Sequence, residues 1–143
     1  MVNRMKPILE KIISPNQSAF VPGRLIQDNI VVAHEVFHYL RGKKRGCQKD
    51  MALKIYFNKA YDRIEWDFLV ATMKNMGFNN SWVKFIYQCI RSVVFRVLIN
   101  REPSEPFFPN RGLHQGDPLS PYLFLIVQVV LSFNLSNGIV KGI

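Results

Sequence analysis

Glycines and polar side chains are concentrated in the segment Arg111–Pro121, which reads Arg-Gly-Leu-His-Gln-Gly-Asp-Pro-Leu-Ser-Pro. Gly112 and Gly116 allow the backbone to approach another group closely, and Gln115 offers an amide beside them. Pro118 suits the start of a helix, where its missing N–H is not needed. The segment is typical of a binding loop held by a rigid helix. An ordinary junction between a loop and a helix has the same spacing and is the alternative.

A second candidate for chemistry is His34–His38, which reads His-Glu-Val-Phe-His. Two histidines four positions apart share one face of a helix and can bind zinc, with the glutamate as a general base. A catalytic zinc also needs a third protein ligand, and the next glutamate along the chain is Glu65. A zinc hydrolase is therefore a remote hypothesis, and two helix histidines without a metal are the alternative.

The charge of the chain indicates the kind of partner. Lys and Arg number 19 against 10 Asp and Glu, which gives a net charge of +9. Such an excess favours polyanions, nucleic acid first and an anionic membrane second, although a basic protein without such a partner is possible. The length of 143 residues allows one domain with a core, and a hydrophobic share of 48% argues against disorder throughout.

The cysteines and the apolar runs exclude other classes. Cys47 and Cys89 are isolated, so we expect no disulfide partner and no zinc knuckle. The longest apolar run, Tyr122–Leu131, is well short of the roughly 20 residues of a membrane span, so we expect no membrane partner. No targeting signal is readable, and the localisation stays unknown.

Apolar residues at helical spacing predict two helices in the first third of the chain, Val2–Ile13 and Leu25–Arg41. A loop over 17–24 separates them. The second helix is predicted to bury one face, made of Ile26, Ile30, Val31, Ala33, Val36, Phe37 and Leu40. Met51–Phe57 then predicts a short buried strand, and Asn58–Arg63 predicts the turn that leaves it.

The remaining elements are two helices and a hairpin. The helices are predicted over Ile64–Met76, with Gly77 as its cap, and over Ser81–Arg91. A strand over Val93–Asn100 is expected to pair with Glu105–Asn110 across a turn at 100–104.

Three blocks in this order resemble one known family. Asn16–Arg24 reads Asn-Gln-Ser-Ala-Phe-Val-Pro-Gly-Arg, Lys59–Arg63 reads Lys-Ala-Tyr-Asp-Arg, and the third block is Gln115–Pro121. Together they resemble the reverse transcriptases of non-LTR (LINE-type) retrotransposons, especially the plant kind, over nearly the whole chain. The resemblance implies an α+β fold, a partial fingers and palm of a right-hand polymerase without the thumb and the motif-C hairpin. Residues 1–50 would be the fingers segment, and residues 51–143 a partial palm with interleaved fingers elements.

The resemblance also implies roles for individual residues. Arg24 would lie near the phosphates of the incoming nucleotide, which a planar guanidinium can pair with. Tyr61 would sit beneath the sugar and exclude a 2′-hydroxyl, although without the family it reads as a core aromatic. Gln115 and Gly116 would contact the nucleotide and its template base. The implied partners are an RNA template, a DNA primer and deoxynucleotides.

The chain departs from the family where catalysis needs carboxylates. Family members hold two Mg²⁺ ions with aspartates, and the first of these positions is Tyr56 here. A phenol is a poor magnesium ligand, because hard cations prefer carboxylate oxygens. No Asp-Asp pair occurs in the sequence, and His114 stands where the family usually has Arg. We therefore expect a catalytically inactive fragment that does not bind Mg²⁺.

Residual nucleic-acid binding is the alternative hypothesis. Basic side chains surround the end of the second predicted helix and could contact phosphates, namely Arg41, Lys43, Lys44 and Arg45, with Arg24 in the preceding loop.

Overall fold

The computed structural model describes residues 1–43 and 50–140. By contacts the chain divides into two compact units, Asn3–Asn58 and Lys59–Ile143, which are described separately below. The described residues form five helices and one two-stranded antiparallel sheet. The expected mixture of helix and strand is present, with helix dominant.

The first unit contains the two predicted helices. Helix α1 spans Val2–Ile12 and buries Met5 and Leu9. Helix α2 spans Ile26–Gly42. The loop between them was predicted, and it contains the buried residues Ser18 and Val21.

The predicted buried face of α2 is wrong. No residue of this helix is buried, and Ile26, Ile30 and Phe37 each leave about half or more of their surface exposed. Helical periodicity identifies which face is apolar, but it does not supply an element to cover that face. The same residues therefore lie on an exposed helix.

The predicted strand over Met51–Phe57 is also wrong. These residues form no strand, and all of them are exposed. A strand exists only through hydrogen bonds to a neighbour, and the described part of the chain offers none to this segment. The apolar and β-branched composition was correctly recognised, but composition does not provide a pairing partner.

The second unit is built on three helices. Helix α3 spans Trp66–Asn75 and helix α4 spans Asn80–Arg91, and α3 packs against α4. The predicted cap is confirmed: Gly77 has a φ of +83°, its N–H donates to Lys74, and the next N–H, of Phe78, donates to Met73. Those two bonds make a Schellman motif, which needs a residue with positive φ.

The last helix, α5, spans Ser120–Val140 and also packs against α3. Leu69 and Met73 of α3, with Leu123 and Ile126 of α5, are almost fully buried and belong to the core of this unit. The 19 residues Ser120–Gly138 are long and apolar enough to cross a membrane by length and composition. A core helix of a soluble protein can pass the same test, so this criterion alone carries little weight.

The predicted hairpin is present only in part: its turn is tighter than expected, and strands of two residues each replace the predicted strands over Val93–Asn100 and Glu105–Asn110. Strand β1, Leu98–Ile99, pairs antiparallel with β2, Glu102–Pro103, so only Asn100 and Arg101 form the loop. The predicted turn over 100–104 is therefore too long. Both loop residues have positive φ, +53° and +71°, as in the type I′ turn that matches the twist of a hairpin. Further along, Phe95 and Phe107 bridge the two arms.

Replacing Arg101 by glycine should stabilise the chain. An L residue in the left-handed region costs about 1 kcal/mol that glycine avoids. Arg101→Gly should therefore raise the free energy of unfolding in urea by about 1 kcal/mol. The control is Arg96→Gly, at a residue with negative φ, where glycine should lower that free energy by about 0.5–1 kcal/mol. Equal effects of the two substitutions would contradict the assignment of strain to the turn.

Candidate functional site

The start of the polar loop Arg111–Pro121 is joined by hydrogen bonds to the turn of the second sequence block and to the residues that follow it. The Gly112 N–H donates to the Ile64 carbonyl at 2.7 Å. The Leu113 N–H donates to the Tyr61 carbonyl at 2.9 Å. The Trp66 indole N–H then donates to the Gly112 carbonyl at 2.7 Å. These three bonds fix the polar loop beside the turn that carries Tyr61.

Gly112 is required at this junction for two reasons. Its φ of +87° is unfavourable for any residue with a side chain. A Cβ at this position would also lie 3.2 Å from the Cα and the carbonyl oxygen of Asp62. The close approach inferred from the sequence is therefore present, and its partner is the backbone of the neighbouring turn.

Gly116 serves a turn rather than a close approach. The Asp117 N–H donates to the His114 carbonyl at 3.4 Å, which closes a four-residue turn with Gly116 at its third position. The φ of +94° at that position is typical of a type II turn. No atom lies within 4 Å of the place where a Cβ would be, and Gln115 is exposed beside it. Both backbone and amide thus face open space.

Asp117 anchors the loop to helix α5. Its Oδ1 accepts a hydrogen bond from the Leu119 N–H at 2.9 Å, and its carbonyl accepts one from the Ser120 N–H at 3.1 Å. An aspartate in this position satisfies N–H groups that the first turn of a helix leaves without partners. The helix therefore begins where the polar loop ends, as predicted.

A cleft of about 450 Å³ opens beside this loop. The residues lining it include Asp62, Arg111, His114, Gln115 and Asp117 on the polar side. Ile90, Val93 and Phe95 line it on the apolar side. A cleft with an apolar wall and convergent polar groups is the usual form of a small-molecule site.

Aromatic stacking supports one wall of the cleft. The rings of Phe95 and His114 stack with centroids 5.3 Å apart, and the ring of Phe107 also stacks on Phe95, with centroids 5.6 Å apart. His114 therefore packs on the hairpin while lining the cleft.

Tyr61 is half-buried, and its ring lies flat on a ring of α5. The centroids of Tyr61 and Phe124 are 5.0 Å apart with an angle of 13° between the planes. Burial raises the pKa of the Tyr61 phenol. The ring is thus part of the packing, as expected for an aromatic residue considered without the family. A contact of Tyr61 with a sugar is a proposal.

Arg24 lies in the first unit and has a structural task there. One guanidinium nitrogen, Nη1, donates to the carbonyls of Ser14 and Gln17, both at 2.6 Å. These bonds hold the loop that contains the first sequence block. The other guanidinium nitrogens keep their hydrogens for a further partner, because an arginine has five donors.

The basic cluster at the end of α2 is only partly described. Lys44 and Arg45 lie outside the described residues. Arg41 is exposed in the last turn of α2. The ammonium of Lys43 forms an ion pair with Asp50, which raises the pKa of Lys43 and lowers that of Asp50. A phosphate would therefore compete with Asp50 for this lysine.

Neutralising Asp50 should release Lys43 for phosphate binding. Asp50→Asn removes the carboxylate that holds the ammonium, so binding of single-stranded RNA should tighten. The slope of log affinity against log salt should steepen by about 0.7, the contribution of one further phosphate contact. Asp28→Asn on the exposed start of α2 makes the same charge change away from Lys43 and serves as the control. Identical slopes for both variants would refute the competition.

The candidate metal ligands Tyr56, His34 and His38 do not belong to a cluster of three potential metal ligands among the described residues. Tyr56 is 83% exposed on the segment without a strand. His34 and His38 are exposed on α2. Within residues 1–43 and 50–140, no three His, Cys, Asp or Glu side chains are placed to share a metal ion. The zinc hypothesis therefore has no third ligand among the described residues, and the free thiol of Cys89 supplies none.

Two contributors to the site were not recognised from the sequence. Trp66 falls within the predicted helix Ile64–Met76 and Phe95 within the predicted strand Val93–Asn100, with no role in a site assigned to either. In the structure Trp66 donates a hydrogen bond to the polar loop, and Phe95 stacks on His114 in the wall of the cleft. The tryptophan follows the turn of the second block by three positions, which was the available signal.

Comparison with known proteins identifies the relatives of this chain. The family model described as "Reverse transcriptase (RNA-dependent DNA polymerase)" matches residues 1–140. The chain is 32% identical over 85% of its length to the transposon TX1 uncharacterized 149 kDa protein of Xenopus laevis. It is 27% identical over 79% of its length to the Pol polyprotein of the type-2 retrotransposable element R2DM of Drosophila melanogaster. A type-1 R2 element of Popillia japonica is 24% identical over 63% of the chain. The chain spans about a tenth of the first two relatives, 9% and 10%.

Proposed function

The chain belongs to the reverse transcriptase family, as part of a non-LTR retrotransposon polymerase, and from this premise we propose that it binds nucleic acid without catalysing nucleotide addition. The proposal has two parts. The surface that faces nucleotides in the family is retained, and the centre that activates the primer hydroxyl is lost.

The observation that carries the second part is the residue at position 56. Polymerases add nucleotides with two metal ions held by carboxylates, and the resemblance assigns the first carboxylate to the position of Tyr56. A phenol is a poor ligand for Mg²⁺, because hard cations prefer carboxylate oxygens. The residues present therefore do not fit the Mg²⁺ ions of the family.

The nearest aspartates in the sequence do not replace the carboxylate that is missing at position 56. Asp50 lies six residues before Tyr56 and is paired with Lys43. Asp62 lies six residues after it and lines the cleft of the second unit. No two aspartates are adjacent in the 143 residues. A Tyr56→Asp substitution would restore the side chain that the family has at this position.

The first part of the proposal concerns the loop and the turn that meet in the second unit. Exposed Gln115 and Gly116, beside the cleft, would contact the incoming deoxynucleotide and its template base. Tyr61 would face the sugar. Separately, in the first unit, the unused donors of Arg24 would pair with phosphate oxygens of nucleic acid.

Binding to an RNA template annealed to a DNA primer tests this part. The fluorescence anisotropy of a labelled duplex should rise with added chain, and log affinity should fall with log salt by about 0.7–0.9 per phosphate neutralised. Arg41→Gln, which removes one exposed cation, should make that slope less steep by about the same amount. A flat salt response of the unmodified chain would end the proposal of residual binding.

A further inference from the structure

A second cleft, outside the candidate site, lies between helices α3 and α4. Its volume is about 450 Å³, and it shares no lining residue with the cleft beside the polar loop. Lys74, from the last turn of α3, and Lys84, from α4, both line it. Two cations from neighbouring helices thus face one small space.

Within residues 1–43 and 50–140, neither lysine has an ion-pair partner. The ion pairs of Lys43 with Asp50 and of Arg111 with Glu65 involve other cations. Lys74 and Lys84 are both exposed. Asp67 also lines the cleft, so its charged side chains sum to one net positive charge. The cleft is therefore cationic in a chain whose net charge is already +9.

The rest of the lining is suited to a ligand with both polar and apolar parts. Half-buried Val70 provides apolar surface above the buried Val83, Tyr87 provides a half-buried ring, and Asn80 an exposed amide. The Tyr87 ring is held edge-on by Trp66, with centroids 6.3 Å apart. The two lysines can pair with phosphates, and the apolar surface and the tyrosine ring can contact a sugar or a base.

We propose that this cleft binds the backbone of a single-stranded polynucleotide, with Lys74 and Lys84 each contacting one phosphate. The space is sufficient for part of a strand, and phosphates repeat along a strand so that two cations can be engaged at once. A single strand offers its bases to the apolar wall, whereas a duplex stacks them inside. The site goes beyond the proposed function, because it shares no lining residue with the cleft beside the polar loop.

The salt dependence of binding to a labelled 12-nucleotide uridine RNA tests the proposal. Lys74→Gln combined with Lys84→Gln should reduce the slope of log affinity against log salt by about 1.4, the share of two single-strand phosphates. Between 50 and 200 mM salt the unmodified chain should then lose about sevenfold more affinity than the variant. The matched control is Lys11→Gln combined with Lys54→Gln, which removes the same charge from exposed positions of the first unit. Equal slopes for the two double variants would overturn the proposal.

Chemical protection tests the same site in the unmodified chain. With the uridine RNA bound, Lys74 and Lys84 should be acetylated several times more slowly than in the free chain, and Lys11 and Lys54 should not change. Protection of all four lysines alike would mean diffuse attraction and contradict the site. Pyrophosphate or polyglutamate, at matched charge, could also protect Lys74 and Lys84 from acetylation as strongly as the RNA does. That result would indicate a site for small or peptide anions and would also overturn the proposal.

A variant that keeps the charge separates cation contacts from packing. Lys74→Arg combined with Lys84→Arg should retain the slope of the unmodified chain, because guanidinium also pairs with phosphate. Loss of RNA binding in this variant would contradict the proposed contacts of the two side chains with phosphates. If the chain does not bind a duplex at the polar loop, the results expected here for single-stranded RNA do not change. The two proposals can therefore be refuted independently.

Discussion

Gly112→Ala is expected to lower the free energy of unfolding by about 3 kcal/mol. About 1–2 kcal/mol comes from placing a Cβ on a residue with a φ of +87°. The remainder comes from crowding, since overpacking costs about 1–3 kcal/mol. The Cβ would lie 3.2 Å from two backbone atoms of Asp62, which cannot rotate away as a side chain end could. The turn that carries Tyr61 would have to shift.

The matched control is Gly116→Ala, four residues along the same loop. Its φ of +94° brings a similar strain, but no atom lies within 4 Å of the new methyl group. We expect a loss of about 1–2 kcal/mol in urea unfolding, the strain alone. Equal losses at the two glycines would show that contact with Asp62 is not part of the stability of the site.

Trp66→Ala is expected to cost about 3–5 kcal/mol, the usual loss for a buried aromatic side chain. Trp66 is 6% exposed, and its ring packs edge-on against Tyr87. Trp66→Phe keeps an aromatic ring but removes the indole N–H that bonds the Gly112 carbonyl at 2.7 Å. A part-buried acceptor left without its donor should cost about 1 kcal/mol, so the stability of the phenylalanine variant should lie between those of the unmodified chain and the alanine variant.

Urea unfolding of the three chains measures both parts of this effect. The difference between the tryptophan and phenylalanine chains reports mainly the hydrogen bond, and the further loss in the alanine chain reports packing. Phenylalanine as stable as tryptophan would contradict the view that this bond fixes the polar loop. The Gly112 amide should also exchange faster in the phenylalanine chain if the loop is released.

Local patterns predicted the helices and the polar loop well. Helical spacing gave α1 and α2 nearly to their ends, and Gly77 was recognised as a cap because few other residues adopt its backbone conformation. Gly112 and Gly116 were recognised as special for the same reason, although only the structure separates a close approach from a turn.

Features that depend on distant residues were not predicted correctly. The apolar pattern of α2 and of Met51–Phe57 identified surfaces that could be buried or paired, but the neighbour that buries or pairs them is not a local property. The hairpin turn was predicted too long because Arg101 is an unusual residue at positive φ. Likewise, nothing in the sequence indicated that the guanidinium of Arg24 bonds two carbonyls of its own loop.

The candidate functional residues were predicted mainly from the resemblance and less from the physical properties of each residue considered alone. Arg24, Tyr61 and Gln115 each have an ordinary alternative when considered alone, and Tyr61 indeed packs on Phe124. Their positions within three ordered blocks made them candidates, and the match of the family model over residues 1–140 shows the family. Their individual contacts with a nucleotide stay predictions.

The most direct test of the central claim is primer extension by the purified 143-residue chain. An oligo(dT) primer on poly(rA) is incubated with the chain, Mg²⁺ and dTTP, and a parallel anisotropy titration shows that the same preparation binds the duplex. The account predicts salt-dependent binding with no extension above the level without protein. Extension that requires the chain and is abolished by EDTA would contradict it, because Tyr56 could then not have removed the metal-dependent step.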